Sequence, residues 1–125
     1  MNRNVGRLLV ATGILAASAG ALSAFSARTT PRRVAVVIEA HMGHFTPHVL
    51  RVRRGDTVHV TLKAMDTAHG FKLQGRDVEI TAMPGMPAEV SFVVDWEGGV
   101  EWFCTFSCGP QHGSMSGMIV SRARD

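Results

Sequence analysis

From residue 34 onward the apolar residues come in short runs, and the clearest run keeps a period of two. In residues 57–64 (TVHVTLKA), Val58, Val60 and Leu62 fall on one side, and Thr57, His59, Thr61 and Lys63 on the other. That is the alternation of a half-buried β-strand. Residues 34–40 (VAVVIEA) are rich in β-branched side chains and lie between Pro31 and Gly43, so they also read as a strand. Further short strands are expected at 49–53, 71–73, 78–81, 89–95, 100–103 and 118–120. Residues 41–47 read as a loop and Gly55-Asp56 as a turn. Residues 66–70 read as a loop carrying His69. Residues 83–87 (MPGMP) read as a rigid turn, because two Pro and a Gly oppose regular pairing. About seven short strands at regular spacing, without an amphipathic helix among them, predict an all-β Greek-key sandwich or small barrel.

The N-terminal part follows a different pattern. Residues 8–25 form eighteen uncharged, mostly apolar positions, preceded by Arg3 and Arg7 and followed by Arg28, Arg32 and Arg33. As a helix this segment would be about 27 Å long, just short of the ~30 Å hydrocarbon core of a bilayer. It reads as an export segment: either a cleaved signal peptide ending among small residues such as Ala21, Ser23, Ala24, Ser26 and Ala27, or a retained single-span anchor. Either reading leaves Arg3 and Arg7 cytoplasmic and exports the rest, to the periplasmic side or the cell exterior. The expected organisation is a hydrophobic helix with basic flanks in 1–33 and one β domain in 34–125.

Splitting the chain there changes the meaning of its net charge of +3. Residues 1–33 hold five Arg and no acid, whereas 34–125 hold eight basic and ten acidic residues. The β domain is therefore weakly acidic, and no nucleic-acid-binding face is indicated. Two Cys in all are too few for a disulfide-dense scaffold.

The chemistry concentrates in residues 104–115 (CTFSCGPQHGSM). Cys104, Cys108, His112 and Met115 bring two thiols, an imidazole and a thioether into twelve residues. Gly109, Pro110, Gly113 and Gly117 make the stretch a loop on which the donors can converge. Soft sulfur donors with imidazole select copper among biological metals. A mononuclear blue-copper site needs one Cys, two His and a weak axial Met. A second thiolate in the same loop allows two sulfurs to bridge two metal ions, each then needing a further strong ligand. His112 supplies one. His69, in DTAHGF after the alternating strand, is the best candidate for the other.

The pattern His69-Gly70-Phe71, followed by Cys104-x3-Cys108-x3-His112-x2-Met115, closely resembles the CuA domain of cytochrome c oxidase subunit II, in its short single-span form. It is also similar to the CuA domain of nitrous-oxide reductase. Phe45-x-Pro47 and Arg54-Gly55-Asp56-Thr57-Val58 are stretches typical of cupredoxins. The resemblance covers about residues 34–121. It implies a cupredoxin fold and a binuclear copper centre bridged by Cys104 and Cys108. His69 and His112 would bind one copper each, Met115 would be a weak axial ligand, and the backbone carbonyl of Phe106 the weak ligand on the other ion. The family often carries Glu where this chain has Phe106, so its magnesium site is not implied here. The resemblance further implies an electron relay between a donor, such as a c-type cytochrome or small copper protein, and a membrane oxidase. The full reductase is not implied, because its catalytic copper cluster occupies a separate His-rich domain and this chain has six His.

Other readings stand beside this one. Cys104 and Cys108 can pair as a disulfide. The same loop, helped by His41, Met42, His44 and His48, would also suit a periplasmic copper-binding or delivery protein. Met83 and Met86 read as packing residues or as a docking or transient copper contact. His59 reads as solvated, and Trp102 and Phe103 as core residues beside the ligand loop.

Overall fold

The computed structural model describes residues 30–106 and 115–124, and the expected N-terminal helix, Cys108 and His112 lie outside the described residues. Among the described residues there are nine strands: β1 (Arg33–His41), β2 (His44–Thr46), β3 (Val49–Arg53), β4 (Thr57–Ala64), β5 (His69–Leu73), β6 (Glu79–Ala82), β7 (Ala88–Val93), β8 (Gly98–Phe103) and β9 (Ser116–Arg122). They form two sheets, ordered β2-β1-β4-β7 and β3-β9-β8-β5-β6. Two of the pairings are parallel, β1 with β4 and β3 with β9, so the sequence-distant strands interleave as expected of a Greek-key sandwich.

The side-chain alternation legible in the sequence sets which face each sheet buries. In β4, Val58, Val60 and Leu62 are fully buried, joined by Ile38 and Ala40 of β1. The facing sheet contributes Phe71 and Leu73 of β5, Trp102 of β8 and Ile119 of β9, all fully buried. Trp102 is the largest of these. Its ring meets Phe45 edge-on at 5.8 Å and Phe71 at 5.4 Å between centroids, geometries that aromatic pairs favour.

Four local expectations are corrected. Residues 41–47 are not wholly loop: Phe45 is buried and anchors β2, a three-residue strand too short and polar to show a period. His69 is the first residue of β5 rather than part of a loop, with Gly70 and Phe71 continuing the same strand. Residues 83–87 form the expected turn, closed by backbone hydrogen bonds of 3.2 and 2.8 Å between Met83 and Met86 across Pro84-Gly85, but its methionines do not take the packing role expected of them. Both methionines are exposed rather than packed. His59 is not merely solvated. Its ring nitrogens contact Ser91 Oγ at 2.6 Å and Glu89 Oε1 at 3.2 Å across the β4–β7 pair, and His59, then Thr61, hold the Glu89 carboxyl below its ordinary value.

The turn before β4 is tied down by Asp56, a buried carboxylate. It accepts hydrogen bonds from the backbone N–H of Arg32 and of Arg53, each at 3.0 Å, and pairs with Arg124. It thereby joins the entry to β1, the end of β3 and the segment after β9. Burial works to raise the Asp56 pKa, but the amides of Arg32 and Arg53 and the Arg124 and Arg32 charges outweigh it and hold it below 3.8. A depressed carboxyl contributes stability that is present above its unfolded pKa and lost as the pH falls through its folded value. Asp56→Asn is therefore expected to lower unfolding stability at pH 7 by about 2 kcal/mol and to lose less on acidification than the parent. Urea midpoints at pH 7 and pH 3 check this; equal midpoints for the two proteins at pH 7 would refute it.

Candidate metal centre

The candidate centre lies where β5 begins, β8 ends and β9 begins. Strands β5 and β8 pair antiparallel, with Lys72 opposite Phe103, and β8 and β9 pair with Phe103 opposite Ser116. Extending both ladders by one residue puts Cys104 between the start of β5 and Met115. The sheet register itself thus delivers His69, Cys104 and Met115 to one end of the barrel, from sequence positions up to 46 residues apart.

All three side chains are buried, His69 completely. Cys104 Sγ lies 4.0 Å from His69 Nδ1. It receives the backbone N–H of Gly70 at 3.4 Å and lies 3.4 Å from the carbonyl oxygen of Phe106. The Cys104 N–H donates to the Met115 carbonyl at 3.4 Å. The Phe106 side chain is exposed, while its carbonyl turns back toward the sulfur. The structure therefore brings together four of the six expected residues: His69, Cys104, Met115 and the Phe106 carbonyl. Cys108 and His112 lie outside the described residues, and among the described residues no group of three or more His, Cys, Asp or Glu side chains is placed to hold a metal ion.

Asp66 is the residue that sequence reasoning missed. Its Oδ1 lies 2.6 Å from His69 Nε2, so Nε2 carries the proton and the lone pair of Nδ1 is left facing Cys104. Asp66 also accepts from the N–H of Thr67 at 2.7 Å and of Met42 at 2.6 Å. Burial acts to raise its pKa, but the hydrogen bond from His69 and those of Met42 and Thr67 prevail, taking it from 3.8 to about 2. The carboxylate is thus anionic at neutral pH. The signal in the sequence was an acid three residues before a candidate ligand His, weak by itself because Asp is common in turns.

Two glycines are required by close approach. A Cβ on Gly70 would strike the Thr105 side chain and come within 3.0 Å of the Thr105 backbone nitrogen, pushing the chain after Cys104 outward. A Cβ on Gly117 would overlap the Trp102 indole, which lies directly over it.

At the far end of β1, His41 and His44 face each other in register and stack at 4.7 Å between centroids with 4° between ring planes. His41 also contacts Glu39 at 3.4 Å. His48 is exposed.

The chain is similar to known proteins in sequence and in fold. Cytochrome c oxidase subunit 2 of Thermus thermophilus is 26% identical over 93 residues, covering 74% of this chain and 69% of the relative. The chain is homologous to this oxidase subunit and has a cupredoxin fold. Nitrous-oxide reductase of Cupriavidus necator is 31% identical over 97 residues, 74% of this chain but 15% of the reductase. The chain spans 55% of a second Thermus thermophilus subunit 2. Among solved structures, the periplasmic domain of subunit II of cytochrome oxidase from Bradyrhizobium japonicum superposes with a TM-score of 0.66 at 18% identity, covering 72% of this chain and 84% of that one. No protein-family model matches the chain.

Proposed function

We propose that the cupredoxin domain is an electron-transfer relay with a binuclear copper centre of the CuA type. It would be exported to the periplasmic side of the membrane and pass electrons from a c-type cytochrome or similar donor to a terminal oxidase. The observation that carries this reading is the buried juxtaposition of His69 Nδ1 and Cys104 Sγ at 4.0 Å, beside Met115, in a sequence that carries a second Cys at 108 and a second His at 112. The donor set fits copper: thiolate, imidazole and thioether together are the ligands of soft, redox-active copper. His69, Cys104, Cys108, His112 and Met115 would hold the metal, with the Phe106 carbonyl as a weak sixth donor. Bound copper supplies a one-electron couple.

The chain's own residues prepare the site for that role. Asp66 fixes the His69 tautomer and ring orientation, so no imidazole rotation is needed on loading or on a change of charge. The Gly70 N–H directs a dipole at the Cys104 sulfur, moderating its negative charge. Phe71, Trp102 and Met115 are fully buried or nearly so and keep water from the inner side. His69 and Cys104 are fixed by strands rather than by a free loop, which limits rearrangement and suits electron transfer. On this reading the domain acts as an electron relay.

Copper content and electron paramagnetic resonance of the copper-loaded chain test the proposal. The expected result is two coppers per chain with one unpaired electron's hyperfine coupling shared by both nuclei. One copper with a localised signal would defeat the binuclear reading and favour a blue-copper or delivery protein. Asp66→Ala leaves the His69 Nε2–H without its acceptor and is expected to weaken copper retention about 10- to 100-fold. Competition with a chelator measures it, and unchanged retention would show that Asp66 does not position His69.

A further inference from the structure

The basic residues of the β domain are not spread evenly. Of its eight, Arg51, Arg53, Arg54, Arg122 and Arg124 come from the ends of β3 and β9 and the segments that follow them. Arg32, just before β1, joins them. These residues surround a cleft of about 370 Å³ lined by Arg32, Val34, Arg51, Val52, Arg53, Asp56 and Arg122. It opens where the start of β1, in one sheet, meets the edge strand β3 of the other.

The arginines around this cleft divide into two groups. Arg124 pairs with Asp56 and donates to the Arg54 carbonyl, and Arg54 lies 3.6 Å from Glu97. Arg32, Arg51, Arg53 and Arg122 make no ion pair among the described residues. Among the described residues Asp56 is the one carboxylate lining the cleft, and its oxygens are already engaged by two backbone amides and Arg124. Arg53 and Arg122 are direct register partners on adjacent parallel strands, an arrangement in which like charges oppose each other. Arg51 shares their outward side of β3, two residues before Arg53. In a domain whose net charge is otherwise acidic, the fold has gathered four unpaired guanidinium groups around one concavity, from three separate stretches of chain.

We propose that this cleft is a binding site for a phosphate group, gripped by Arg51, Arg53 and Arg122 with Arg32 on the opposite rim. Guanidinium forks match phosphate oxygens in pairs and are weakly hydrated, so they favour this anion over a halide. A bound phosphate also relieves the Arg53–Arg122 repulsion. The cleft lies at the pole away from the metal centre: β9 runs seven residues from beside Met115 to Arg122, about 20 Å at ~3.3 Å per residue. Occupation of the cleft therefore leaves the copper site untouched, and the inference stands independently of the proposed function.

The test is a titration of the full chain, held in neutral detergent, followed by backbone amide resonances. Inorganic phosphate is one probe, and dihexanoylphosphatidylglycerol below its micelle concentration is the other, with chloride at matched ionic strength as control. Saturable shifts centred on Arg32, Arg53 and Arg122 are expected. The exposed pair Arg53→Gln and Arg122→Gln should weaken binding about tenfold or more. Arg76→Gln, which removes a cation paired elsewhere with Asp95, should leave it unchanged, and unchanged copper spectra would show that the variants remain folded. Saturation by phosphate alone assigns a free phosphate, and saturation by the lipid alone assigns a headgroup; either supports the site. A response no different from that of chloride, or one that survives loss of Arg53 and Arg122, overturns it.

Discussion

Cys104→Ser is expected to reduce the copper content of the loaded chain from two per molecule to one or none and to abolish the shared hyperfine pattern. Under the proposed arrangement Cys104 bridges both ions, so its loss removes a ligand from each at once. A serine hydroxyl is a harder donor with a far higher pKa than a thiol and does not replace a bridging thiolate at neutral pH. The fold should survive, because the substitution is nearly isosteric in a buried position and the Gly70 N–H retains an acceptor; a stability change of about 1–2 kcal/mol is expected. Cys108→Ser should behave alike in copper content. Metal analysis with paramagnetic resonance on both variants decides the matter. Two coppers and the parent spectrum in either variant would remove the bridging assignment, whereas an effect of Cys104→Ser alone would point to a single-thiolate centre on the same scaffold.

The second large effect falls on stability rather than on ligation. Gly117→Ala places a methyl group inside the volume of the Trp102 indole. Trp102 is completely buried and is held from other sides by Phe45 and Phe71, so the ring has no free direction in which to move. Strand β9 must then shift away from β8, disturbing Met115 and the Cys104–Met115 backbone contact together. Overpacking of this kind costs about 1–3 kcal/mol, and more where relief is blocked; the upper part of that range is expected. Thermal or urea unfolding of the metal-free chain measures it without interference from copper. The companion change Trp102→Phe should recover part of the loss in the double variant, because a smaller ring vacates the contested space. A Gly117→Ala protein with parent stability would mean that the indole does not rest on this glycine.

What the sequence disclosed, and what it withheld, follows from range. The β4 alternation and the β-branched run of β1 are local signals, and both strands form as expected. The soft donors of residues 104–115 are legible because they lie within twelve positions. His69 was found as a candidate through its spacing pattern, yet it was expected in a loop; its strand assignment depends on pairing with Ala82 of β6, which no local pattern encodes. Strand β2 escaped notice because three residues cannot display a period and two of them are polar. Gly70 and Gly117 were silent as single letters, since each matters only through a neighbour distant in sequence, Thr105 and Trp102, and Asp66, though only three residues from His69, was masked by the frequency of Asp in turns. The arginine cleft is the extreme case, assembled from residues 32, 51, 53 and 122 by the two parallel pairings.

Those parallel pairings also bear on how the chain is made. Strand β9 follows the other eight described strands in the chain, yet it is not an edge: it lies between β3 and β8, hydrogen-bonded on both sides. Until its final residues leave the ribosome, β3 has no partner in its sheet, and the pocket beside Cys104 lacks Met115. A nascent chain that stops short of β9 is left with two unpaired edges and an open core, so the second sheet closes only once β9 is available. Topologies dominated by such distant contacts fold slowly, so the end of the barrel that holds His69, Cys104 and Met115 is among the last parts to form.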